Sequence, residues 1–200
     1  MNKAAFISIF LIMSCSLFAD FKIIAGFDLA RYKTESIEDK LIWEYKFGLS
    51  GGIGFEENLS RRVIIEFDSL YIQRGSQAES ADGHSIYKYC LNTISVPLLI
   101  KYKLFPHSSP YLLGGSEVFY PLSYKLKQPS NDSEEDLKDD MNTINFGLIT
   151  GCGYEIRLEE HLYFFIEIRY FYGITNIIKN PSGNESQKPE VWLLSIGLKS

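Results

Sequence analysis

The sequence is short of most things that chemistry needs. It has three histidines, His84, His107 and His161, and all fall in stretches that read as loops or turns. No Ser-His-Asp order and no metal-ligand spacing groups them, so neither a catalytic site, nor a metal, nor a cofactor is expected. Cysteine is scarce too: past Cys15 there are Cys90 and Cys152, on strands that would not be neighbours in a meander. Positive charge is not in excess. The net charge is −5 over 200 residues, and an acidic chain without a basic patch argues against nucleic acid as a partner. Mean hydropathy is near zero, which excludes a bundle of membrane helices. What is abundant is aromatic: 14% of the chain, mostly Tyr and Phe.

The N-terminus has a positive Lys3, an apolar run, and Ala19 before Asp20. That is the pattern of a secretory signal peptide, residues 1–19, with the cut after Ala19 and Sec-dependent export. The run is too short to span a membrane as a helix. A lipoprotein signal ending at Cys15 is a looser match. The remainder, residues 20–200, has the length of one domain.

The chain is organised around residues 43–73. From Trp43 to Phe55 it alternates strictly: Trp43, Tyr45, Phe47, Leu49, Ile53 and Phe55 share one parity, and Glu44, Lys46, Gly48, Ser50, Gly52 and Gly54 the other. Period-two alternation sends each set to one face of a β-strand. The polar stretch 57–60 turns the chain, and a second strand returns. The other strands are expected at about 20–31, 86–104, 110–124, 142–157, 162–175 and 190–199. In 86–104 the apolar parity slips once, from Tyr87, Tyr89 and Leu91 to Ile94, Val96 and Leu98, which implies a β-bulge near Asn92–Thr93. The stretch 110–124 is blurred by Gly114-Gly115.

Connections alternate between short (57–61, 105–109, 157–161) and long and polar (32–42, 75–86, 125–141, 176–189). Outer-membrane barrels have short periplasmic turns and long external loops. The expected fold is therefore all-β, an eight-stranded antiparallel up-and-down transmembrane β-barrel. A soluble or lipid-anchored ligand-binding barrel has the same strand count with its apolar set inside. Glycine separates the two: a solvated face has no use for Gly48, Gly52, Gly54, Gly147, Gly151 and Gly153, whereas a crowded eight-stranded interior has. Aromatics near the strand ends suggest two interfacial girdles. One rim has Phe21, Phe55, Tyr102, Tyr111, Tyr154 and Phe164; the other has Trp43, Tyr71, Tyr87, Tyr89, Tyr172 and Trp192.

Inward parity collects Lys22, Asp28, Glu44, Lys46, Glu56, Arg62, Glu66, Asp68, Lys101, Glu155, Arg157, Glu167 and Arg169. Charges shielded from water must be paired. A lumen ion-pair network is expected, with Glu66, Lys101, Glu167 and Arg169 at its centre. The stretch 131–141 holds six acids and resembles a calcium loop through Asp132, Glu134 and Asp136, but Leu137 and Thr143 occupy the turn-glycine and closing-Glu positions. It reads as a solvated external loop.

Four stretches in order, Ile94–Tyr102, Pro110–Gly115, Asn145–Glu155 and Glu167–Asn176, resemble the PorT-like outer-membrane β-barrel domain family. The resemblance implies an eight-stranded outer-membrane barrel of a diderm bacterium. It fixes no activity, although the family's namesake acts in protein secretion. Such barrels usually end on an aromatic residue, and this chain ends Gly197-Leu-Lys-Ser200. The expectation is a monomeric, non-enzymatic barrel in outer-membrane lipid, placed there by the barrel insertion machinery. Its role would be structural or in recognition by external loops, whose partner is unnamed. A small pore is the alternative.

Overall fold

A computed structural model describes residues 19–35, 41–80, 86–105, 109–128, 133–179 and 186–200. The expected signal peptide lies outside the described residues but for Ala19, as do His84, His107 and the tips of the longer loops. Nine strands follow in order: β1 (Asp20–Glu35), β2 (Leu41–Asn58), β3 (Val63–Ser80), β4 (Ile86–Lys103), β5 (Ser109–Gln128), β6 (Ser133–Asp136), β7 (Asn145–Arg157), β8 (Tyr163–Gly173) and β9 (Ser186–Lys199). A single 3-10 turn, Lys138–Asp140, stands between β6 and β7.

Every neighbouring pair is antiparallel, β1 pairs with β9, and β4 pairs with β5. The sheet therefore closes on itself as an eight-stranded barrel. The short β6 lies outside the ring and pairs as a hairpin with the outer end of β5, within the stretch read as a solvated external loop. The wall is uneven. Strands β1 to β5 run 16 to 20 residues, while β7 has 13 and β8 has 11.

The apolar parity points outward. Ile23, Phe47, Leu98 and Ile100 are more than half exposed, and every strand of the ring adds to this band. A soluble barrel would have the opposite arrangement. A continuous exposed apolar belt is what a barrel presents to lipid. Tyr71, Tyr102, Phe55, Tyr154 and Trp192 are exposed near the ends of this belt, with Tyr172 half-exposed. The side chain of Trp43 is outside the described residues.

Three girdle assignments are corrected. Tyr89 stacks on Tyr124 at 6.0 Å against the interior cluster, with Tyr87 in the same row of β4. Tyr111 is fully buried in the lumen. A bulge does stand at Asn92–Thr93, as expected, but its extra residue is not in β4. Leu91, Thr93, Ser95, Leu99 and Lys101 are all buried, and the β3–β4 register runs unbroken. The irregularity at Asn92/Thr93 is in the pairing to β5, where Asn92 faces Ser123 and Thr93 faces Pro121, so the extra residue is Leu122 of β5. The apolar pattern of β4 slips because its outer end turns Tyr89 and Leu91 into an apolar part of the lumen.

Candidate functional site: a lumen filled in two layers

The lower part of the lumen, toward the short turns, is a layer of ions. Inward rows from β1, β2, β3, β4, β8 and β9 converge there because alternate residues of each strand share the inner face. Lys101 Nζ lies 2.7 Å from Glu56 and 3.1 Å from Glu167, and it also contacts Glu66. Lys22 Nζ is 2.7 Å from Glu66 and 3.3 Å from Glu56. The Arg169 guanidinium divides its donors: Nη2 reaches Glu66 at 2.6 Å, Nη1 reaches Asp68 at 2.8 Å, and Nε reaches Glu167 at 2.6 Å. Tyr111 donates its hydroxyl to Glu167 at 2.8 Å. Nearer the mouth, Lys199 lies 3.0 Å from both Glu56 and Glu155, and Lys103 lies 3.0 Å from Glu155. Most of these groups are almost wholly buried. Taking an ion out of water costs several kcal/mol, and a layer of alternating sign with several contacts per group offsets that cost.

Above it the lumen turns apolar. Arg74 and Glu117 pair at the boundary, and Arg74 also reaches Ser95 at 3.3 Å. The Arg74 guanidinium is held between the rings of Phe119 and Phe171, at 4.6 and 4.4 Å. Between this pair and Arg169 is a cavity of about 10 Å³, room for one water at most. Over the pair lies a core including Tyr32, Leu91, Phe119, Tyr124, Phe171 and Val191. Met141 and Ile177, from the two segments that flank the low wall of β7 and β8, complete this core. Asn142 binds the two segments together. Its backbone N–H donates to Ile177 O at 2.8 Å, and its side chain donates to Asn176 O at 2.8 Å and to Ile178 O at 3.3 Å.

Of the charges read from sequence, Glu66, Asp68, Lys101, Glu155, Glu167 and Arg169 meet in the lower layer, with Lys22 and Glu56. Glu44 does not: it is exposed near the outer end of β2. Lys46 is half-buried, and its Nζ faces Cys90 Sγ at 2.9 Å rather than a carboxylate. Arg62 and Arg157 are exposed beside the short turns. Asp28 is buried but holds no ion pair of the layer.

Sequence reasoning missed Arg74, Glu117, Lys103 and Lys199. Arg74 keeps the parity of Glu66 and Asp68 but lies one residue past the expected end of its strand. Glu117 was hidden by the blurred alternation around Gly114-Gly115. Lys199 carried a usable signal, sharing parity with Ser195 and Gly197. Among the described residues, no group of three or more His, Cys, Asp or Glu side chains is placed to hold a metal ion.

Residues 17–179 match the model of a family described as outer membrane protein beta-barrel domain. The chain belongs to that family. It is an outer-membrane β-barrel protein. Among solved structures it is similar to the outer membrane protein OprG from Pseudomonas aeruginosa, at 16% identity and a TM-score of 0.55, over 90% of this chain and 94% of that one. It is also similar to Neisserial surface protein A, at 15% identity and a TM-score of 0.47, over 90% and 95% of the two chains. Likeness at these identities is likeness of fold. No curated protein matches the chain in sequence.

Proposed function

We propose that this outer-membrane barrel is a closed, non-catalytic one, whose work is structural or lies in recognition by its external face. The observation that carries this reading is the filling of the lumen. Ions occupy the lower part, an aromatic core the upper part, and two outer segments lie across the top. Eight strands enclose a space that side chains alone can fill. The outer hairpin β5–β6 and the segments around Asn142 and Asn176 are the parts left to meet a partner outside the cell. The PorT-like resemblance adds protein secretion as a second setting for that partner. The protein sits in outer-membrane lipid as a monomer, after Sec export and delivery by the barrel insertion machinery. Purified protein reconstituted in planar bilayers should give no steady conductance. Reproducible open-channel currents would overturn the closed-barrel reading and make a pore the leading function.

A further inference from the structure

On the outer surface of the wall, the rows of β1 and β9 change character toward the long-loop end. Leu29 and Trp192, paired across the sheet, are exposed in the apolar belt, and Tyr170 packs on Trp192 at 4.7 Å. One step further out along the same face, about 6.8 Å, Arg31 stands opposite Glu190. A second step brings Lys33 opposite Lys188. Interfacial Trp and Tyr mark the level at which hydrocarbon gives way to lipid headgroups, and long loops mark the external side. The three cations therefore stand among the headgroups of the outer leaflet.

The protein neutralises this strip only in part. Like charges directly opposite each other weaken a sheet, and among the described residues no carboxylate contacts Lys33 or Lys188. Arg31 lies over the Tyr45 ring at 4.8 Å. Its Nε and Nη2 both end on Glu190 Oε2, each at 2.8 Å, and the side chain stays 42% exposed. Nη1 has no hydrogen bond among the described residues, so the guanidinium keeps donors for an oxyanion. The whole chain is acidic, at −5, yet this strip sets three cations against one carboxylate. We propose that it binds the phosphate of an anionic lipid in the outer leaflet. The phosphate lies between Lys33 and Lys188 and takes the remaining Arg31 donors, while the acyl chains run down over Trp192 and Leu29.

The test is a lipid titration of the full chain in maltoside micelles, which carry no phosphate, with bound lipid counted by native mass spectrometry. Phosphatidic acid should bind about thirtyfold tighter than phosphatidylcholine, the net of three cations and one acid at about fivefold each. Lys33→Gln with Lys188→Gln should abolish that preference. Lys138→Gln with Lys179→Gln removes the same charge from exposed positions on the outer segments and should leave it unchanged. Glu190→Gln frees Arg31 and should tighten phosphatidic acid about fivefold, a gain that misfolding does not produce and that decides the matter if the double variant fails to fold. Equal binding of the two lipids, an equal loss in both double variants, or no gain in Glu190→Gln would overturn the proposal. So would inorganic phosphate competing as well as phosphatidic acid, because the site would then be one for a free anion.

Discussion

Glu167 ties the ion layer together by holding Arg169, Lys101 and the Tyr111 hydroxyl at once. Its change to Gln would leave positive charge buried without compensation. Removing one member of such a pair costs about 3–5 kcal/mol, so Glu167→Gln should unfold at lower urea, and adding Arg169→Gln should recover part of the loss. The Arg74–Glu117 pair should behave differently, since Leu70, Ile72, Phe119 and Phe171 surround it. Glu117→Leu alone should cost a similar 3–5 kcal/mol, yet Arg74→Met with Glu117→Leu should be neutral or stabilising by about 1–4 kcal/mol, since apolar groups replace both ions. Urea midpoints of the four proteins check both statements. Glycine matters at Gly54 for a related reason: a Cβ there would stand 2.0 Å from Asp68 Oδ1. Gly54→Ala must displace the carboxylate that Arg169 holds, and the overpacking should cost about 1–3 kcal/mol.

At the scale of elements, alternation reported the membrane-facing stretches well and the outer ends poorly. Trp43–Phe55 and Tyr163–Gly173 could be read because lipid demands apolar side chains on one face and a crowded lumen demands glycine or charge on the other. Beyond the belt neither demand applies. That is why β3 runs on to Ser80, β5 to Gln128, and the acidic residues 133–136 form a strand. Tyr89 and Leu91 misled for the opposite reason: an apolar upper lumen places apolar residues on both faces of β4, and sequence cannot distinguish that from a slipped register. The outer segments should also be a separate unit of stability. Asn142→Ala removes two side-chain hydrogen bonds, each worth about 0.5–1.5 kcal/mol. Amide exchange should quicken around residues 137–143 and 174–179 while the strands of the ring keep their protection.

For the whole molecule, the belt and the closed ladder predict a β-rich circular dichroism spectrum in detergent and a gel mobility that changes on boiling. A helical spectrum, or solubility without detergent, would contradict the fold. The topology also sets the thiols apart. Cys90 is on β4 and Cys152 on β7, with β5 between them. Two strand steps of about 4.8 Å each exceed the roughly 7 Å that a disulfide can bridge. Both should label with a thiol reagent after unfolding without prior reduction.

Phe21 and Ser200 exchange backbone hydrogen bonds, at 3.2 and 3.0 Å, at the end of a β1–β9 ladder that continues to Glu35. The first and last strands are thus joined as any interior pair is, and the chain is a ring that happens to be cut there. A circular permutant with Ser200 tethered to Asp20 through a short linker, and reopened in the exposed turn 59–60, would keep every strand neighbour while starting and ending elsewhere. If it still matures in the cell, assembly requires only the finished ring. If it folds only from urea into detergent, assembly in the cell depends on which strand arrives last.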